Sequence, residues 1–452
     1  MLQEPFCRNG MRVRQYLTAL LPGHWAAAGE FLMVTGNGFL DRTLTSDEIR
    51  QIVSVAAGEM PVSGRRILVI IPDSTRSMPM PLMFKLLQEE IGSIAAACDF
   101  LVALGTHPLM RDMQLSSLVG EPVVNGTCGK SKVMNHRWDQ AETFMEIGRI
   151  PQDAVNRISG GLLDEPIPVR INRTIFNYDQ ILICGPVFPH EVVGFSGGNK
   201  YLFPGVAGPE VIGLTHWLGA LLGSYELIGT HSTPVRELID MAADLVKVPV
   251  ACMALVVTRE QVSGMYFGTP KEAWGAAANL SGRTHIVWVD QPFRRVLSVM
   301  PQLYDDMWTA AKGMYKVEPA VVDGGEVIIY APHISEVSYT HGVHLDKIGY
   351  HCRDFFLKQW QKFKDVPRSV LAHSTHLYGK GTYDAETGIE EARITVTLAT
   401  GIPEDRCRAL NLNYLDPNGV DTDEWQRRED QGMKVVPRAG ETLYRLRTAT
   451  GF

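Results

Sequence analysis

Lys200 lies in the segment HEVVGFSGGNKYLFPG (190–205), where Gly194, Gly197, Gly198 and Gly205 surround it and Pro204 precedes the last glycine. Closely spaced glycines let backbone N–H groups approach an anionic group. The order is not that of a nucleotide triphosphatase loop, which needs Gly directly before the Lys and Ser or Thr after it. Asn199 and Tyr201 hold those places. A lysine in a glycine-lined pocket can instead be a nucleophile, because burial and neighbouring cations lower its pKa. The bland alternative is a tight loop with a solvated lysine. His190 stands ten residues before Lys200, His216 stands sixteen after it, and His107 lies in the same half of the chain. Histidine suits proton transfer near neutral pH. One histidine alone is usually structural, but three with a glycine-cradled lysine suggest a site.

Other side chains could join it. Arg76, in DSTR (73–76), offers a bidentate grip on a carboxylate or phosphate. Asp73 could accept a hydrogen bond from a ribose hydroxyl, or pair with Arg76 to brace a turn. Lys312, in WTAAKG, reads as a surface lysine except for its apolar neighbours. His341 and His344, and His373 and His376, have i, i+3 spacing, but no cysteine or carboxylate pattern completes a zinc motif. These four are read as structural or substrate-adjacent.

The elements that must position these groups are those of an α/β protein. Short apolar runs alternate with amphipathic segments, the pattern of a mainly parallel sheet. Strands are expected at RRILVIIPD, CDFLVALG, DQILICGP, VACMALVVT and THIVWVD. Helices are expected at PLMFKLLQEEIG, RDMQLSSLVG, STPVRELIDMAADLV (capped by Ser232 or Thr233) and TPKEAWGAAANL. The rhythm breaks at QPFRRVLSVMPQ, near residues 285–302, which suggests two α/β domains, 1–290 and 300–452, with the active site in the cleft between them. The second is expected to have helices at DDMWTAAKGMYKVEPAV and DFFLKQWQKF, and strands at GEVIIYAP, SVLAH and ARITVTL. Three polar clusters, Asp73–Arg76, Gly105–His107 and Pro189–His190, each follow a strand's carboxyl end, where open α/β sheets bind ligands.

Composition excludes little but points one way. A net charge of −7 with pI near 6.0 gives no support for nucleic-acid binding. Seven scattered cysteines without a CxxC pair read as reduced thiols of a cytoplasmic protein. No apolar run reaches the 18 residues or so of a membrane span. Arg12 and Arg14 precede YLTALL, but Pro22, Gly23 and His24 cut that stretch too short for a signal peptide.

Taken together, IPDSTRSMP, VALGTHPLM, PHEVVGFSGGNKYLFPGVAG, His216 in LTHW and MWTAAKGMYKVEPAVVDGGEVII resemble the nickel-dependent lactate racemase family. The resemblance spans most of residues 65–335. It implies a nickel pincer nucleotide, a pyridinium mononucleotide bearing thioamide and thiocarboxylate groups, attached covalently to Lys200. It implies that His216 coordinates the nickel and that His107 and His190 are the acid/base pair. Arg76 and Lys312 would position the substrate carboxylate. Asp73 and Thr75 would lie near the nucleotide, with Gly197, Gly198 and Pro204 around the anchoring loop. Proteins that build the cofactor are implied as partners, with a small 2-hydroxy acid as substrate and neither nucleic acid nor membrane.

That chemistry is self-consistent. Inverting a 2-hydroxy acid breaks and remakes its Cα–H bond, and that proton is poorly acidic beside a carboxylate. Hydride removal with simultaneous loss of the hydroxyl proton gives a 2-keto acid, but the hydride needs an acceptor that side chains cannot supply. Two bases suit a hydroxyl that reaches opposite sides in the two enantiomers. Soft sulfur ligands on a tethered group suit square-planar nickel, which one histidine alone would hold weakly.

The chain departs from the family at Trp308 and Thr309, which replace a Tyr-Gln pair, and at Asn199, which replaces an arginine. SYTHGVHLDK also replaces a glycine-richer stretch. Trp308 and Thr309 should form part of the substrate wall, so the substrate is expected to differ from lactate or to extend beyond it. The alternatives are a nicotinamide-dependent 2-hydroxyacid dehydrogenase, which the lack of a GxGxxG after a strand disfavours, and an inactive nucleotide- or metal-binding homologue.

Overall fold

The computed structural model describes residues 34–447. Cys7 and the Arg12–His24 segment lie outside the described residues. Eight strands form the larger sheet: β1 (Thr35–Gly38), β2 (Arg66–Ile71), β3 (Ala97–Val102), β4 (Thr127–Cys128), β5 (Ser131–Asn135), β6 (Gln180–Pro186), β7 (Val250–Thr258) and β8 (Gln261–Gly268). Their spatial order is β1-β8-β7-β6-β2-β3-β5-β4. The central pairs β7–β6, β6–β2, β2–β3 and β3–β5 are parallel, while β1, β8 and β4 pair antiparallel.

The central strands are covered on both faces, which explains their unbroken apolar runs. Leu68, Ile70, Ile181 and Ile183 face one core, and Ile67, Val69, Ile71, Leu182 and Cys184 face the other. The first of these cores runs on into the second half of the chain, where Val296, Ile329 and Leu398 belong to it. From β2 the chain passes to β3 on one side and later returns through β6 on the other. That reversal opens a crevice at the carboxyl ends of β2 and β6.

A five-stranded parallel sheet follows: β9 (Phe293–Val299), β10 (Val321–Ala331), β11 (Thr395–Thr400), β12 (Asn413–Tyr414) and β13 (Met433–Val436), in the order β12-β11-β10-β9-β13. Three expectations are corrected. QPFRRVLSVMPQ contains β9, a strand inside the second sheet, where a break in the rhythm was expected. SVLAH lies within the helix Arg368–Tyr378, because a short apolar run buried all round carries no period that separates strand from helix. The helix expected over DDMWTAAKGMYKVEPAV is divided into Met307–Ala310, Lys312–Tyr315 and a 3-10 turn at Glu318–Ala320.

No helix among the described residues is long and apolar enough to cross a membrane. The six described cysteines are free thiols.

Candidate active site

One cavity collects most of the chemistry-bearing residues. It encloses roughly 1110 Å³, its open mouth included, and both halves of the chain line it. The first half contributes Asp73, Arg76, His107, His190, Gly197, Lys200, Pro204 and His216. The second contributes Trp308, Thr309, Lys312, His373 and His376. Thr75 lines two adjoining pockets, and Gly198 is not among the residues that line the cavity. The three polar clusters follow β2, β3 and β6, the strands that flank the crevice.

The glycine loop takes its shape from a buried scaffold. Gly197 and Gly198 have φ of +86° and +59°, in the left-handed region. The guanidinium of Arg236, stacked on Trp274 at 4.2 Å, donates to the carbonyls of Gly197 and Phe195. The Trp274 indole N–H donates to Ser196 O at 2.9 Å. Asn199 is drawn away from the cavity, its side chain donating to Asp240 at 2.8 Å. A Cβ on Gly198 would come within 2.9 Å of Trp274 Cβ and 3.1 Å of Pro270 O. Gly198→Ala should therefore cost on the order of 2 kcal/mol or more of stability in urea denaturation, from strain plus overlap.

Lys200 enters the cavity from a 3-10 turn, Gly198–Tyr201. Burial and then the Arg76 charge push its pKa down to about 7, so the free amine is accessible near neutrality. Lys312 is lowered to about 7 by the same two causes, and burial lowers Lys316 to about 8. Lys312 donates to Thr309 O at 3.0 Å and sits 4.5 Å from the Tyr304 ring centroid. It is therefore not a solvated surface residue.

These shifts carry a sign for stability. A lysine with folded pKa near 7 and reference value 10.5 binds fewer protons than in the unfolded chain over that interval. Stability therefore rises with pH there, by up to about 1.4 kcal/mol per lysine per pH unit. The cofactor-free protein should show a melting temperature that climbs from about pH 7 toward about pH 9, and the slope should shrink in Lys312→Met.

Each histidine has a fixed orientation. His107 Nδ1 lies 2.5 Å from Asp73 Oδ2. An ionised carboxylate accepts, so Nδ1 carries the proton and the Nε2 lone pair is free. Burial raises the Asp73 carboxyl, but His107, Arg76 and the Thr75 hydroxyl outweigh it and hold the group well below the usual range. Thr75 Oγ1 donates to Asp73 at 2.6 Å and accepts from Arg76 at 2.9 Å. The bracing partner of Asp73 is thus His107 and Thr75, and the Arg76 guanidinium reaches it only through Thr75.

His216, on the helix Pro209–Leu222, has Nδ1 2.8 Å from Ile212 O. A carbonyl only accepts, so Nδ1 is protonated and Nε2 is left as a free ligand atom. Burial and Lys200 lower its pKa to about 4, so it is neutral at working pH. His190 is also neutral, pushed well down by burial and by Lys200 and Arg76.

Several participants escape sequence inspection. Trp308 is stacked between His373, 4.0 Å away, and His341, 4.4 Å away. His341 Nε2 meets Thr106 Oγ1 at 3.1 Å, joining the two halves beside His107. The four paired histidines divide: His373 and His376 line the cavity, His341 lines the adjoining pocket on the far side of Trp308, and His344 is exposed. Glu191 lines the cavity next to His190, and its spacing gave no sign of that role. Among the described residues, no group of three or more His, Cys, Asp or Glu could hold a metal unaided.

The chain is similar in sequence and in fold to known proteins. A family model described as the lactate racemase N-terminal domain matches residues 48–226. Lactate racemase from Thermoanaerobacterium thermosaccharolyticum is 24% identical over 276 residues, covering 59% of this chain and 60% of that protein. Lactate racemase from Lactiplantibacillus plantarum is 25% identical over 308 residues, covering 65% and 64%. The matched stretch thus spans less than two thirds of each relative's length. A crystal structure of a Thermotoga maritima protein superposes with TM-score 0.82 at 32% identity, covering 90% of this chain and 99% of that one. The lactate racemase apoprotein from Thermoanaerobacterium thermosaccharolyticum superposes with TM-score 0.66 at 20% identity, covering 88% and 92%, which shows a shared fold. The segment that matches the lactate racemase N-terminal domain model contains Asp73, Arg76, His107, His190, Lys200 and His216, the same residues that converge on the cavity.

Proposed function

We propose that this protein is a racemase or epimerase of 2-hydroxy acids that works with a nickel pincer nucleotide tethered to Lys200. The observation that carries the reading is the convergence on one cavity of the Lys200 amine, of His107 and His190, and of His216 with its Nε2 free.

The residues present fit the cofactor. Lys200 offers an amine with its pKa lowered to about 7. His216 offers one neutral nitrogen, and the lack of any other ligand cluster among the described residues suits a group that brings its own sulfur donors. Gly105, with φ +59°, lines the cavity, and a Cβ there would meet nothing within 4 Å, so the backbone leaves room for a large group. When bound, the pincer nucleotide supplies a hydride acceptor.

The chain's own residues do the rest. Arg76 and Lys312 present two cations to the substrate carboxylate. His107, oriented by Asp73, takes the hydroxyl proton of one enantiomer at Nε2, and His190 serves the other. Trp308, with His373 and His341 against its ring, gives the cavity an aromatic wall where a larger substrate side chain could lie. The reading therefore includes substrates other than lactate, and two domains, 1–290 and 300–452, meeting at the cavity. The test is enantiomer interconversion by cofactor-loaded protein across a panel of 2-hydroxy acids of increasing side-chain size. Turnover of at least one is expected, and turnover of none would sink the proposal.

A further inference from the structure

Two of the histidines that line the cavity have a carboxylate near Nδ1. For His107 it is Asp73, at 2.5 Å. For His190 it is Glu191, whose Oε2 lies 3.3 Å away. The arrangements differ in one respect. The backbone N–H of Val192 points at His190 Nδ1 from 3.1 Å and donates to it.

A ring nitrogen has either a lone pair or a proton. His190 Nδ1 cannot accept from Val192 and donate to Glu191 at once. The neutral ring therefore has two states. With Val192 N–H bonded to Nδ1, the proton sits on Nε2, and the cavity-facing nitrogen can only donate. With Nδ1–H directed at Glu191, the Nε2 lone pair is free to accept.

Glu191 is well placed to hold the second state. Burial raises its carboxyl, but His376, its own backbone N–H, Lys312 and Lys200 bring it below its ordinary value, so it is ionised. Tyr315 lines the same cavity as Glu191.

We propose that Glu191 is a positioning residue that sets the tautomer of His190, switching its Nε2 between proton donor and proton acceptor. The use of the switch rests on the racemase reading; the switch itself does not. Inversion needs each histidine to take the hydroxyl proton from one enantiomer and return a proton to the other. When the substrate O–H breaks toward His190, the new N–H forms at Nε2 and the ring becomes a cation protonated on both nitrogens. Its Nδ1–H is then held by the Glu191 carboxylate, against the unfavourable facing N–H of Val192. The reverse transfer returns the Nε2 proton to the substrate oxygen.

Long-range 1H–15N spectra of apo-protein labelled with 15N-histidine read the tautomer directly, with the His190 signal assigned by its loss in His190→Gln. Wild type should populate both the Nε2–H form bonded to Val192 and the Nδ1–H form directed at Glu191, and Glu191→Ala should leave only the Nε2–H form while His107 stays unchanged, confirming an intact fold. Glu191→Gln keeps a carbonyl acceptor and should keep both forms, but it lacks the charge that stabilises the imidazolium. In loaded enzyme Glu191→Ala should lower kcat by about a hundredfold and leave KM within about twofold. The same His190 tautomers in wild type and Glu191→Ala overturn the proposal. If Glu191→Ala does not fold, Glu191→Gln decides: a fall in kcat with both forms retained supports it, and an unchanged kcat overturns it. A tautomer shift in a protein that turns over no 2-hydroxy acid would overturn the racemase reading and leave the switch standing.

Discussion

Lys200→Ala protein, produced alongside the cofactor-building machinery, should carry no covalent adduct and show turnover at least about a thousandfold below wild type. The amine is the only group of residue 200 that can bond to the nucleotide, and shortening it to a methyl leaves His216 as a single weak ligand for nickel. Stability should move the other way. A lysine held near pKa 7 by burial costs the cofactor-free fold stability at neutral pH, so its removal should leave the melting temperature equal or higher. An inert variant that is also less stable would describe a structural lysine. Loss of adduct and activity with stability retained describes an anchor. Lys200→Arg sharpens the comparison, since it restores charge and bulk without a nucleophilic amine, and it should be equally free of adduct. Intact mass and nickel content of both variants are the measurements. An adduct on either variant at the wild-type level would refute the anchoring role.

The central strands were legible because burial on both faces writes itself as an unbroken apolar run, as in ILVII of β2 and QILICGP of β6. Once those strands were placed, the polar residues after them had to share one sheet edge, and Asp73, His107 and His190 do. The misread elements share a cause. SVLAH is apolar and short, and only the neighbouring helix Pro209–Leu222, against which it packs, makes it helical. FRRVLSV carries two arginines in a row and resembles a linker, yet Val296 and Leu297 are fully buried within the second sheet. Residues whose role comes from distant partners left no local trace. Arg236 braces a loop some forty residues earlier in the chain. His373 acquires meaning only from Trp308, and Glu191 only from the turn that folds its carboxylate back toward His190. Lys312 was visible as a lysine among apolar neighbours, but its place in the cavity depends on the cation–π contact with Tyr304 and on the first half of the chain.

Asp73 can be read in two ways, and Asp73→Asn separates them. Sequence suggested a partner for the nucleotide, whereas the 2.5 Å contact to Nδ1 makes it the orienting group of His107. An asparagine at this position can turn its NH₂ toward Nδ1. The ring would then carry its proton on Nε2 and present a donor where a base is needed. If orientation is its task, kcat should fall by about a thousandfold or more, as for other histidine bases that lose their carboxylate, with adduct and nickel content unchanged. If it holds the nucleotide, loading should fall in step with activity. The fall in kcat should not be recovered by titration across about pH 5 to 9. The wild-type carboxyl already lies well below its usual range, so it is ionised throughout, and the variant has no charge to regain. His107→Ala should reproduce the kinetic defect without adding to it in the double variant, because two residues acting as one unit lose their function once. Full additivity of the two losses would mean that Asp73 works elsewhere in the cavity.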